Sequence, residues 1–161
     1  MTETEAAYFA GLIDGEGSLR IFEMNQYRPV TREQYKVCHL RLSIGMTHEP
    51  TIRWLRNLTE SGAIQFLDNR RHPKWRPAWI IVWSTGSAGP LLKCVLPYLI
   101  LKKRNAEIAL EWIELSREMR HFVGGRSRYD RVIPQHIREK RSVLLAEMQS
   151  LNRKGRQPLP S

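Results

Sequence analysis

Residues 9 to 17 read FAGLIDGEG, and the reading of this stretch decides the architecture. Tyr8, Phe9, Leu12 and Ile13 recur at helical spacing, with the small residues Ala6, Ala7 and Ala10 among them. The pattern predicts a helix over residues 5 to 14, with Thr2 or Thr4 as its N-cap and Gly15 and Gly17 as its stop. Residues 18 to 27 then begin to alternate, Leu19 and Ile21 on one face and Ser18 and Arg20 on the other, which is the pattern of a strand. The helix therefore ends in Gly-acid-Gly and feeds a strand.

Working outward, residues 36 to 46 alternate more cleanly. Cys38, Leu40, Leu42, Ile44 and Met46 share one face; Val37, His39, Arg41, Ser43 and Gly45 share the other. Residues 28 to 35 connect these two strands. A helix is expected over 48 to 60, with Pro50 in its first turn and Gly62 after its end. Strands are expected at 63 to 69 and 78 to 84, joined by the basic loop RRHPKWRP. Gly86 and Gly89 are expected to break the chain before Pro90 opens a helix to about Leu96. An amphipathic helix follows near 105 to 119, with Ile108, Leu110, Trp112, Ile113 and Leu115 as its stripe. After a basic loop at 124 to 133, a last helix runs from near Pro134 to about Asn152. The fold class is α+β: a four-stranded antiparallel sheet, helices packed on one face, the other face polar and basic. Residues 1 to 153 form one domain and 154 to 161 a disordered tail. The pattern does not assign the Trp79, Ile81, Trp83 face to core or to surface.

Composition narrows the partner. The chain has 161 residues, with 26 Lys and Arg against 16 Asp and Glu, a net charge of +10. Such a surplus suits a polyanion: DNA, RNA or an acidic membrane surface. No run approaches the length of a membrane span, and the N-terminus is acidic at Glu3 and Glu5, so no span and no signal peptide are expected and a membrane partner drops out. Cys38 and Cys94 lack metal-ligand spacing and fit a reducing intracellular compartment as buried thiols.

FAGLIDGEG resembles the LAGLIDADG motif, matching at Ala10, Gly11, Leu12, Ile13, Asp14 and Gly17, with Glu16 in place of the second Asp. The chain is thereby identified as similar to the single-motif, homodimeric LAGLIDADG homing endonucleases, with an αββαββα-like fold and a saddle-shaped DNA-binding sheet. The resemblance implies metal-dependent hydrolysis of a long pseudo-palindromic DNA site, leaving short 3′ overhangs. Phe9, Ala10, Gly11, Leu12, Ile13 and Asp14 would form the dimer interface, where small residues let two helices approach closely. Asp14 stands at a helix C-terminus, where an anion is badly placed, and needs a partner such as backbone N–H groups of the facing helix. Glu16, with the Gly15 carbonyl, would hold Mg²⁺ or Mn²⁺, which activates water and neutralises charge on the leaving oxygen; Ca²⁺ would bind without supporting cleavage. In PYLILKKRNAEI, Lys102 takes the position of the family's active-site lysine, which stabilises developing phosphate charge. For the polar residue that positions solvent at the end of the second strand, an ungapped reading gives Met46 and a shift of two gives His48, which has the chemistry for it.

In that reading the open sheet face lies in the DNA major groove. Ser18, Arg20, Phe22, Met24 and Gln26 of the first strand point there, with His39, Arg41 and Ser43 of the second, Gln65, Asn69, Arg71 and Lys74 of the third and its loop, and Arg28 at the strand end. Arg32, Lys36, Arg70, Arg76, Arg126, Arg128, Arg138 and Lys140 suit phosphates, which position without specifying. Each subunit covers ~10 base pairs. Two alternatives share the scaffold: an intron RNA maturase, and a DNA-binding regulator that would not need a carboxylate at position 16.

Overall fold

The helix of the opening motif runs further than its apolar pattern. In the computed structural model, which describes residues 1–28, 32–68, 76–121 and 134–154, α1 spans Glu3–Glu16. Thr2 and Glu5 form a capping box: the Glu5 N–H donates to the Thr2 hydroxyl at 3.3 Å, and the Thr2 N–H to the Glu5 carboxylate at 2.7 Å. Gly15 does not stop the helix as expected; the stop is Gly17, whose N–H donates to the Ile13 carbonyl. A Cβ on Gly17 would stand 2.5 Å from that carbonyl oxygen, so only glycine lets the strand leave the helix this tightly.

The order continues as β1 (Gly17–Arg28), β2 (Glu33–Met46), α2 (Glu49–Thr59), β3 (Ala63–Leu67), β4 (Ala78–Ser84), α3 (Thr85–Val95), a 3₁₀ turn at Leu96–Tyr98, α4 (Lys103–His121) and α5 (Gln135–Lys154). The four strands pair antiparallel throughout, in the order β1-β2-β4-β3. The chain is α+β, as the sequence predicts.

Alternation sets which face is covered. Leu19 and Ile21 of β1, and Leu40, Leu42 and Ile44 of β2, are buried with Phe9, Ile13, Ile52, Leu92 and Trp112 from the helices. Ile81 and Trp83 are fully buried and Trp79 packs against the same core, which assigns the tryptophan face of β4 to the interior. The Trp83 indole N–H donates to Thr59 Oγ1 at 3.3 Å and the Ser61 carbonyl at 3.2 Å, fastening the end of α2 to the sheet. Leu144 and Met148 of α5 enter this core, and Asn152 donates to the Leu19 carbonyl at 3.2 Å. The last helix therefore supports β1 from behind.

Two local expectations are corrected and one is borne out. Gly86, Gly89 and Pro90 lie inside α3, which begins after Ser84, and Gly89 is pressed against Ile113 of α4, where a Cβ would stand 3.3 Å from its Cδ1. Gly62 follows the end of α2 as expected, two residues after Glu60, which caps the helix in the left-handed region at φ 48°. Cys94 is exposed on α3, while Cys38 is half-buried and burial raises its thiol pKa. The loop expected at 124–133 and all but the first residue of the expected tail lie outside the described residues, as does Asn69 of the expected third strand.

Two glycine substitutions separate backbone strain from open space. Gly62 has φ +94°, and a Cβ there would meet Trp83 Nε1 at 2.8 Å, whereas Gly86 is helical with nothing within 4 Å. Gly62→Ala is expected to destabilise by about 1–3 kcal/mol, and Gly86→Ala to stabilise by about 0.4–1 kcal/mol. Urea unfolding of both variants checks the opposite signs.

Candidate active site and nucleic-acid interface

The carboxylate of Asp14 is bound by its own chain. Asp14 Oδ2 accepts from the N–H groups of Ile100 at 2.8 Å and Leu101 at 3.1 Å, and Oδ1 from that of Lys102 at 2.9 Å. The expected donors, backbone groups of a facing helix, are thus replaced by the turn leading into α4. The Lys102 carbonyl accepts the first helical bond of α4, from Ala106 N–H at 3.0 Å, so Asp14 sits at the approach to a helix N-terminus, where an anion is favoured. Burial raises the Asp14 carboxyl pKa, but the backbone donors Ile100, Lys102 and Leu101, with the Lys102 charge, outweigh it and hold the group below its ordinary value.

The same turn delivers Lys102 to the end of α1. Its ammonium donates to the Asp14 backbone carbonyl, one of the orphan acceptors of the last helical turn. Glu16, the last residue of α1, and Gly15 before it are exposed at this end. Lys102, 88 residues from Asp14 in sequence, is thus brought to the end of α1 that carries Gly15 and Glu16. Their donor set, a free carboxylate and a carbonyl, is all oxygen and suits a hard divalent cation. Among the described residues no three His, Cys, Asp or Glu side chains cluster.

His48 lies where β2 leaves the sheet, four residues past Ile44, the register partner of Gly17. It is the N-cap residue of α2, its Nδ1 lies 2.8 Å from Thr51 Oγ1, and it lines a hollow of about 330 Å³ with Tyr8, Pro50, Thr51 and Trp54. No hydrogen bond among the described residues joins it to Glu16 or Lys102.

The expected interface on α1 is also corrected. Phe9, Ala10 and Ile13 are fully buried in the chain's own core and offer nothing to a second chain. The open face is Tyr8, Gly11, Leu12 and Gly15; a Cβ on Gly11 or Gly15 would meet nothing within 4 Å. Tyr8 packs edge-on against Trp54 at 5.4 Å, and the exposed Ile100 and Leu101 stand beside the Asp14 end.

The uncovered sheet face carries the predicted groups. Ser18, Arg20, Gln26, His39, Arg41, Ser43 and Gln65 all project from it, exposed or half-buried. Arg20 and Arg41 stand directly opposite each other. Phe22 lies under the Arg20 guanidinium at 5.0 Å and against the His39 ring at 6.0 Å, and His39 Nε2 lies 3.5 Å from Gln26 Nε2. Sequence reading missed Ile80 and Val82, which the parity of β4 puts on this face; the buried Trp83 was the signal that fixes the parity. The side chain of Arg28, and Asn69, Arg71 and Lys74, lie outside the described residues, as do Arg70, Arg126 and Arg128. Arg32, Arg76, Arg138 and Lys140 are exposed, and Lys36 is in an exposed ion pair with Glu23 at 3.3 Å.

An archaeal intron-encoded homing endonuclease complexed with DNA superposes with a TM-score of 0.70 at 15% identity, over 98% of this chain and 90% of that one. The fold is that of the LAGLIDADG homing endonucleases. The LAGLIDADG homing endonuclease I-GzeII, in complex with its DNA target, matches with a TM-score of 0.66 at 15% identity, over 97% of this chain and 50% of that one. The homing endonuclease I-CvuI, in complex with the I-CreI target in the presence of Mg with the DNA not cleaved, matches with a TM-score of 0.59 at 16% identity, over 88% and 95%. The same enzyme is also solved with its own target in the presence of Ca. No protein-family model and no curated protein matches the sequence. None of the helices is long and apolar enough to cross a membrane, among the described residues.

In this LAGLIDADG fold the Asp14 contact predicts a pH-dependent stability. In Asp14→Asn the Oδ2 position becomes either a donor facing two N–H groups or, once flipped, leaves Lys102 N–H without its acceptor. The variant is expected to lose about 1–3 kcal/mol near neutral pH. Because the folded carboxyl pKa is depressed, the wild-type advantage is present above the unfolded value of ~3.9 and fades as pH falls through the folded value. Denaturation of both proteins at a series of pH values measures whether the gap closes on acidification.

Proposed function

We propose that this chain is a site-specific, metal-dependent DNA endonuclease that acts as a homodimer. The observation that carries the reading is the convergence of Glu16 and Lys102 at one end of α1, on a scaffold whose uncovered sheet face presents Arg20 opposite Arg41. The sheet binds the major groove of duplex DNA, and the exposed cations take phosphates. Glu16 and the Gly15 carbonyl hold Mg²⁺ or Mn²⁺, with Ca²⁺ binding in place but not supporting cleavage. The metal, when bound, supplies Lewis-acid charge at the scissile phosphate. Lys102, pinned by the Asp14 carbonyl, places a cation where charge develops on the phosphate oxygens. His48, at the end of β2 whose Ile44 pairs with Gly17, is the residue that would position solvent there.

Two observations favour pairing of two chains. One carboxylate is an incomplete shell, and a second Glu16 from a twofold mate completes it. The open face of α1, with Gly11 and Gly15 bare and Tyr8, Leu12, Ile100 and Leu101 apolar, suits close helix packing. A single chain such as that of I-GzeII is twice the length matched, as a fused pair would be. A dimer reads a pseudo-palindrome with half-sites of ~10 base pairs and cuts to short 3′ overhangs.

Incubation with a randomised duplex library should give sequence-specific cutting with Mg²⁺ and none with EDTA. Glu16→Gln should bind the selected site and cut none of it, and Lys102→Met should lose ~10²–10³-fold in cleavage rate. Tight binding without cutting under any divalent ion would favour the regulator, and preference for structured intron RNA the maturase.

Gly11→Leu separates interface from core. Its side chain enters open space within the chain, so the variant should fold normally yet sediment as a monomer and lose cutting. A dimer that survives this substitution would exclude α1 as the contact.

A further inference from the structure

The sheet register divides the open face into rows, and the rows differ sharply in chemistry. Across the first lie Arg20, Arg41 and Ser84; across the next Ser18, Ser43, Val82 and Ala63; across the third Gly45, Ile80 and Gln65. Arg20 and Arg41 sit opposite one another with no ion pair among the described residues, an arrangement that destabilises the free chain. Arg41 Nε is also dry and without a hydrogen-bond partner, a cost that native proteins seldom leave unexplained. Both costs are relieved when the guanidinium turns onto an acceptor in front of the sheet.

The acceptor is a base edge rather than a phosphate. β2 is an inner strand, flanked by β1 and β4, so Arg41 stands at the middle of the face, the part of a sheet docked in a major groove that would meet base edges rather than the flanking backbones. Arg20 is laid over the Phe22 ring, which is itself tilted against His39, so its fork is held by packing. Guanine offers two acceptors on its major-groove edge, O6 and N7, which a guanidinium matches bidentately. Beside this row, Val82 and Ile80 put branched apolar side chains on a face that otherwise meets water. Their counterpart in a major groove is the thymine methyl group.

We propose that Arg20 and Arg41 read two neighbouring G·C pairs in each half-site, and that Val82 and Ile80 read adjoining A·T pairs through their thymine methyls. This rests on the DNA-binding reading above and adds which bases are specified.

The test uses the full-length protein and selection of bound duplexes from a randomised library, without cleavage. Wild type should enrich two adjacent G·C pairs next to A·T pairs. Arg41→Gln should lose about 5- to 150-fold of the guanine preference at one position only, and Arg20→Gln at its neighbour. Both variants remove a like-charge pair, so neither should melt below wild type, which reports that they fold. Replacing the selected thymines by deoxyuridine should weaken wild-type binding about 4-fold per methyl and leave Val82→Ala binding unchanged at its site. A uniform drop in affinity with the same selected sequence would make both arginines phosphate contacts and overturn the assignment. Equal binding of thymine and uracil duplexes would overturn the apolar half. Wild type that binds no duplex would instead sink the DNA-binding reading, and this inference with it.

Discussion

The contact between Asp14 and the turn at Ile100–Lys102 is the constraint on which the functional end of the molecule depends. A carboxylate at the C-terminus of its own helix is disfavoured by the helix dipole. Here it is offset by three backbone N–H groups that lack helical partners, and by the Lys102 ammonium, which also satisfies an orphan carbonyl of α1. Two helix termini thereby complete each other: the end of α1 supplies acceptors, the start of α4 supplies donors. The consequence is positional. Glu16, two residues beyond Asp14, and Lys102 cannot move independently, because the same side chain fixes both elements.

The sheet depends on a different balance. Its covered face is held by the apolar burial of β1, β2 and β4 against the helices, each fully buried large side chain adding roughly 1.5–3 kcal/mol. That surplus lets the opposite face tolerate features that cost stability: two arginines face to face, an unbonded Nε, branched apolar residues open to water. α5 matters here although it is remote from that face. Through Leu144, Met148 and the Asn152 bond to Leu19 it braces the edge strand that carries Arg20.

Much of this was legible in the sequence where periodicity was strong. The alternation of β2 gave its faces correctly, and the element order gave the antiparallel sheet. What was not legible falls into kinds. Gly86, Gly89 and Pro90 look like breakers, yet lie inside α3, where packing on Ile113 favours a small residue at Gly89. The tryptophans of β4 were ambiguous because that strand is apolar on both faces, AWIIVWS, and only the core could choose between them. Asp14 was seen to need backbone donors, but its donors lie more than 80 residues away, at separations of 86 to 88, which no local pattern encodes. Only the role of Lys102, not its place beside Asp14, was legible through resemblance to a motif.

The helix α1 divides one sequence between its own core and an open face. Residues 6 to 13, AAYFAGLI, are apolar or small on every side, and a helix of that kind is stable only when surrounded. Its own chain surrounds half of it: Phe9, Ala10 and Ile13 are fully buried. The other half, Tyr8, Gly11, Leu12 and Gly15, lacks the charged residues that a solvent face would carry. The motif residues expected to meet a second chain therefore divide by helical phase, one set for the core and one left over. Helical phase also explains why Gly11 and Gly15, four apart, fall on the leftover side, where bare backbone allows a second helix to come close. Close approach there would bring two α1 ends together, each with its Glu16 and its fastened Lys102. In the proposed homodimer the clamp at Asp14 would do for one chain what pairing would do for two: it holds charge in one place.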